Sequence, residues 1–126
     1  LSNLARNAEK VRKVFSILAD ENNYPVYIHC WGGADRTGTV CFLINALLGV
    51  SYRDLIHDYE YTTFSLFSLR TSKQNDNYKF YEFLEELKTK YKGNTLQDKI
   101  KAYLSEICVS ETDMNSLIAI MCGEVI

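Results

Sequence analysis

Hydrophobic positions along the chain recur mostly at helical spacing. Leu4, Ala8, Val11, Phe15 and Leu18 stand three and four residues apart, which predicts a first helix with Ser2 or Asn3 as its cap and the polar run Asp20 to Asn23 as its exit. The charged face of that helix, Arg6, Glu9, Lys10, Arg12 and Lys13, reads as solvated. Val26-Tyr27-Ile28-His29 breaks the period. It follows Pro25, is apolar and partly β-branched, and is too short for a helix, so it predicts a buried strand. From Thr37 the helical period resumes through Val40, Leu43, Ile44, Leu47 and Leu48, with Gly49 as a stop and a start near Arg36.

The second half reads as a series of capped helices. Ser51 followed by Asp54 is a variant capping box for a helix through Tyr61. Thr62 to Thr71 mixes Phe64, Leu66, Phe67 and Leu69 with hydroxyl residues, and strand, short helix and loop all stay open there. Arg70 and Lys73 behind it read as surface charges, with a second contact to substrate as the less favoured alternative. Asn75 or Asp76 opens a further helix that turns Phe80, Phe83, Leu84, Leu87 and Tyr91 inward and stops at Gly93. Thr95 with Asp98 caps the next, carrying Leu96, Ile100, Tyr103, Leu104 and Ile107. Ser110 with Asp113 starts the last, which buries Leu117, Ile118 and Met121 and ends near Gly123. The tyrosines on these helices read as amphipathic packing residues.

The junction His29-Cys30-Trp31-Gly32-Gly33-Ala34-Asp35-Arg36-Thr37-Gly38 sets a thiol and a guanidinium six positions apart between strand and helix. Gly32, Gly33 and the small Ala34 let successive backbone N–H groups point at one anion, and the helix start adds its unpaired N–H groups and positive dipole end. Arg36 can hold two phosphate oxygens with a bidentate fork. The field that binds phosphate also stabilises a thiolate, which makes Cys30 a nucleophile. Its attack on a phosphate monoester would leave a phosphocysteine, and the leaving oxygen would need a proton, for which Asp35 is the acidic residue of the loop. Thr37 can donate a hydrogen bond to the thiolate and make it a better leaving group in the hydrolytic step.

Charge and cysteine usage narrow the setting. A chain of 126 residues, 47% of them hydrophobic, is one globular unit, and no run of it is long enough to span a membrane. The formal net charge of −2, with no basic stripe, argues against a nucleic-acid partner and makes any attraction for phosphate local. Cys30, Cys41, Cys108 and Cys122 form no Cys-x-x-Cys pair, and only His29 and His57 could add nitrogen ligands, so neither a metal nor any other cofactor is expected. Cys41, Cys108 and Cys122 read as packing residues, with Cys41 as a resolving thiol for oxidised Cys30 the alternative.

The His-Cys-x-x-Gly-x-x-Arg-Thr-Gly pattern resembles the signature of cysteine-dependent protein tyrosine and dual-specificity phosphatases. Its Asp-Arg-Thr-Gly ending is similar to that of the bacterial tyrosine and lipid phosphatases and of the myotubularins, and Leu47 to Tyr59 looks like the segment after the signature helix in the bacterial group. The resemblance is best over residues 26 to 70 and thinner beyond. It implies Cys30 as nucleophile, Arg36 on phosphate, Thr37 on the thiolate, and Asp35 in acid/base work in place of, or beside, an upstream Asp. Trp31, Gly32, Gly33, Ala34, Asp35 and Arg36 would wrap the phosphate, with His29 and Gly38 in support. Many bacterial members with lipid activity carry Lys where this chain has Ala34, which lowers the expectation of substrates with several phosphates.

The expected fold is therefore α/β and protein tyrosine phosphatase-like, mostly helical, with the signature strand and few others. Residues 1–126 form one phosphatase domain, with 26–38 the phosphate-binding loop and 75–126 the C-terminal helices. One strand cannot satisfy its own backbone, and relatives place most strands earlier than the signature. The chain is thus expected to be the C-terminal part of a larger domain, completed by an N-terminal segment or a partner chain. Phosphorylated protein or a small phosphomonoester is the expected substrate, phosphotyrosine first, then phosphoserine, phosphothreonine or phosphoinositide. A phosphate-binding module without turnover and a rhodanese-like sulfurtransferase are the alternatives. A nucleotide loop is excluded, because Thr39 stands where the Walker pattern needs Lys. A reactive thiolate suits the cytoplasm, and a secreted form stays open because the sequence starts at Leu1.

Overall fold

The computed structural model describes residues 5–64 and 79–123. The regular structure among them is six helices: α1 Ala8–Leu18, α2 Arg36–Leu47, α3 Tyr52–Tyr61, α4 Phe80–Lys90, α5 Leu96–Glu106 and α6 Glu111–Cys122. Single 3₁₀ turns, Glu21–Asn23 and Thr62–Phe64, follow α1 and α3.

Helix α2 is the axis of the fold. Thr39, Val40, Phe42, Leu43, Ile44, Ala46 and Leu47 are all buried, so its apolar surface runs round the helix instead of along one stripe. Helices α3 and α5 pack against it, α4 packs on α5, and α1 pairs with α6. Phe42 meets Phe80 and Phe83 of α4 edge-on, with ring centroids 5.6 and 5.3 Å away. Tyr59 of α3 stacks on Phe80 at 3.6 Å, so one aromatic cluster joins three helices.

Several helix ends are closed by side chains from elsewhere. Gln97 Nε2 donates to the Leu47 carbonyl at 2.7 Å, tying the C-terminus of α2 to α5. Lys99 Nζ donates to the Lys88 and Tyr91 carbonyls, both at 2.8 Å, and so closes α4. The end of α1 takes bonds from Asn23 Nδ2 to the Ile17 carbonyl and from Tyr24 Oη to the Leu18 carbonyl, and Ser116 Oγ of α6 donates to the Ala19 carbonyl. The expected N-caps form at Ser51, Thr95 and Ser110, each hydroxyl accepting from the amide three residues on. At Thr95 the box is reciprocal, because the Asp98 carboxylate also accepts from the Thr95 amide.

Four expectations are corrected. Val26–His29 has no regular secondary structure, and Val26, Tyr27 and His29 are exposed, only Ile28 packing against the core. A strand needs ladder partners for its N–H and C=O groups, and the described residues supply none. The fold described is therefore helical, and the α/β expectation has no strand among the described residues. Of the three thiols expected to pack, Cys108 and Cys122 are exposed, at the ends of α5 and α6, and Cys41 is partly buried. Met121 is 39% exposed, whereas Met114 on the same helix is buried. The α1 and α4 caps also differ. Asn7 precedes α1 and Lys79, with left-handed φ of 61°, precedes α4, whereas Ser2, Asn3, Asn75 and Asp76 lie outside the described residues, as do Arg70 and Lys73.

Two substitutions gauge this account. Leu43→Ala, at a fully buried position of α2, is expected to cost about 2–5 kcal/mol by urea denaturation. Thr95→Ala removes one cap and is expected to cost about 1 kcal/mol. Similar losses for the two would contradict a core centred on α2.

Candidate active site

The burial of α2 fixes where its first turn points. Asp35 precedes the helix with φ −82° and ψ −67°, and its side chain makes no cap bond to the leading amides. Its carbonyl instead accepts from the Thr39 amide at 2.9 Å and the Thr39 hydroxyl at 2.7 Å. No acidic residue lies in the first turn. The helix start thus keeps its positive end available to an anion.

Gly33 has φ of +70°, and a Cβ there would meet nothing within 4 Å, so glycine serves the backbone turn and not the space. That turn brings the Gly33 N–H to 3.2 Å from Cys30 Sγ, donating to it. Gly38 is different. A Cβ there would make an ordinary 3.8 Å contact with the Tyr59 ring, so its place reflects packing of α2 on α3.

Burial pushes the Cys30 thiol up, and hydrogen bonds more than offset that, leaving it lowered to about 7. The groups that lower it, in order, are the Thr37 hydroxyl, the Thr37 amide, and the amides of Gly33 and Gly32, of which the Gly33 N–H makes the well-formed bond at 3.2 Å. Thr37 Oγ1 is buried beside the sulfur without a well-formed hydrogen bond to the neutral thiol, so it is placed to serve the thiolate. A buried hydroxyl left unsatisfied is costly, and a sulfur anion beside it accepts the missing bond. The hydroxyl thus favours the thiolate over the thiol. Short-range groups of the loop and of the first turn of α2 thus account for the lowering.

A cavity of about 770 Å³ opens beside the loop. Its walls are Lys10, Val11 and Val14 of α1, the segment Ile28, His29, Cys30 and Trp31, and Arg36, Thr37 and Val40 of α2. Five residues of the predicted site, His29, Cys30, Trp31, Arg36 and Thr37, line this cavity; Gly32 and Gly33 act on the sulfur through their amides, while Ala34, Asp35 and Gly38 stand outside the lining. Ala34 is 1% exposed, turned into the protein, and Asp35 is exposed at the mouth of α2. Trp31 is 83% exposed, and His29 stacks on Tyr27 with centroids 5.4 Å apart.

Sequence reasoning missed the contribution of α1. Val11 belongs to the apolar stripe, but nothing in the local pattern says which end of the stripe meets the loop, and Lys10 reads as an ordinary solvated residue. Cys41, proposed as a resolving thiol, sits on α2 with its pKa raised by burial and by the Asp58 carboxylate, the reverse of Cys30. Among the described residues no group of three or more His, Cys, Asp or Glu side chains could hold a metal ion, and no helix is long and apolar enough to cross a membrane.

Comparison with known proteins agrees with this geometry at the level of family. A sequence profile described as the tyrosine phosphatase family matches residues 2–121. No curated protein and no solved structure gives a significant match. The profile takes in α1, the Cys30 loop and all five helices after it, and on that extent of agreement the chain belongs to the tyrosine phosphatase family.

Proposed function

We propose that the protein hydrolyses phosphate monoesters, phosphotyrosine foremost, through a phosphocysteine on Cys30. The observation that carries this reading is the pairing of a thiol lowered to about 7 with Arg36 on one cavity wall, the guanidinium lying outside any ion pair among the described residues. At pH 7 a thiol of pKa about 7 is roughly half ionised, against about one per cent for one at 9. An oxidised or disulfide-bonded role for this sulfur would not need the neighbouring fork, and a sulfurtransferase gains nothing from Thr37 and Arg36 placed together.

On this proposal the Cys30 sulfur attacks phosphorus as the bond to the leaving oxygen breaks, and Arg36 grips two of the remaining oxygens as charge spreads over them. The loop amides and the start of α2 add fixed dipoles at no reorganisation cost. The leaving oxygen takes a proton, which we assign to Asp35, the carboxyl nearest the loop in sequence. Water then gives a proton to the Asp35 carboxylate as it attacks phosphorus, the S–P bond breaks, and the departing thiolate is received by the Thr37 hydroxyl. No step in this route calls for a cofactor. Phosphoserine, phosphothreonine and phosphoinositide are secondary substrates of the same chemistry.

Cys30→Ser is expected to abolish turnover of p-nitrophenyl phosphate while retaining binding of inorganic phosphate, and turnover surviving in that variant would sink the phosphocysteine. Arg36→Lys is expected to lower kcat/KM on the order of 10²-fold or more, since a point charge cannot replace the fork.

The lowered thiol predicts a pH dependence with a definite sign. Only the thiolate reacts, so the rate of iodoacetamide alkylation at Cys30 should rise with pH through a midpoint near 7 and level above it. Thr37→Ala removes the largest lowering contribution, and its midpoint should move upward, toward 9. An unmoved midpoint in that variant would show that Thr37 does not hold the thiolate. For Asp35, Asp35→Asn is expected to cost roughly 10²-fold or more in kcat with loss of the basic limb of its pH profile. An unaltered basic limb would place the acid elsewhere.

A further inference from the structure

The cavity is larger than a phosphate requires. At about 770 Å³ it falls within the range of pockets that enclose much of a drug-sized ligand, so it has room for the leaving group and its neighbours. Val11 and Val14 of α1 and Val40 of α2 give it apolar walls, and Trp31 stands exposed on its lining. Such walls suit a phenyl ring. They suit an inositol ring less, since its hydroxyls would lose water without finding partners there.

Two long cationic side chains reach this lining, Arg36 and Lys10. Arg36 is taken up by the phosphate itself, and Ala34 supplies no charge from the loop. Lys10 is exposed on α1, makes no ion pair or hydrogen bond among the described residues, and meets no Asp or Glu on the described lining. A second negative group on the substrate would therefore find one cation waiting, already solvated and with no competitor to displace.

We propose that Lys10 is a specificity residue of this cavity, pairing with a carboxylate that flanks a phosphotyrosine, so that the favoured substrate is a phosphotyrosine within an acidic peptide. The inference rests on the phosphatase reading above and extends it from the reacting phosphate to the sequence around it. Exposed pairs of this kind are weak and screened by salt, so the effect is a preference of roughly two- to five-fold, not a requirement.

The test compares kcat and KM for two phosphotyrosine peptides that differ only in carrying Asp and Glu, or Asn and Gln, beside the phosphotyrosine. Wild-type protein is expected to favour the acidic peptide two- to five-fold, through KM and not kcat, with the preference shrinking as salt rises. Lys10→Arg should keep the preference, Lys10→Gln should lose it, and Lys10→Glu should invert it. The same preference in all forms, or an equal loss on both peptides, would overturn the proposal. So would a Lys10 dependence seen only with a bisphosphorylated inositol headgroup. Trp31 is the sole tryptophan, so its fluorescence reads peptide binding to the Cys30→Ser variant without turnover. A Lys10-dependent binding preference in a protein that never turns over would fail the phosphatase reading alone. Turnover with no such preference in either assay would fail the Lys10 proposal alone.

Discussion

The site depends on one constraint: the burial of α2 round its circumference. Leu43 and Leu47 are fully enclosed, and Phe42 is locked between two rings of α4. Interiors this dense leave a helix little freedom to slide or tilt. Its first turn is consequently fixed in space, and with it the amides of Gly33 and Thr37 and the hydroxyl of Thr37, which must meet one sulfur atom. A loop so short could not hold four donors on a thiolate by its own conformational preference, since each ordered residue costs about 1–2 kcal/mol of backbone entropy. The helix behind it supplies that order.

The other end of α2 is held by equally specific means. Its Leu47 carbonyl is satisfied by Gln97, a residue 50 positions away, and α5 in turn closes α4 through Lys99. These bonds join helices that the core has already brought together, so they add direction to contacts that burial makes favourable. The C-terminal half thus acts on the chemistry at a distance. It positions α2, and α2 positions the loop.

The legible parts of the sequence were those governed by local rules. Cap residues at Ser51, Thr95 and Ser110 bond to amides three positions away, and a pattern of that range is visible in the letters. The spacing of Cys30, Gly33 and Arg36 is likewise short enough to read, and the Gly33 N–H reaches the Cys30 sulfur. What failed needed partners from elsewhere. Val26–His29 has strand composition, yet composition cannot supply a ladder, and the described residues leave it exposed. Cys108 looked like a packing residue because free cysteine is usually buried, but a left-handed φ of 65° just beyond α5 turns it outward. Lys10 was unreadable for the same reason. Its helix is evident from the stripe, while the face that meets Cys30 is set by the packing of α1 on α6.

The electrostatics of the site divide by range. Cys30 is tuned by hydrogen bonds from Thr37, Gly33 and Gly32, which act over about 3 Å and are little screened by salt. Arg36 and Lys10 are exposed, act through solvent as well as by contact, and weaken as ionic strength rises. The lowering of the thiol and any attraction for an anion are therefore separable. The groups that favour the thiolate are built into the loop and the first turn of α2, whereas any attraction of Arg36 for an anion is local and superimposed on a chain whose net charge is −2. Because those groups belong to the loop backbone and to the first turn of α2, the lowering of this thiol depends on the packing of that helix and not on a long exposed side chain.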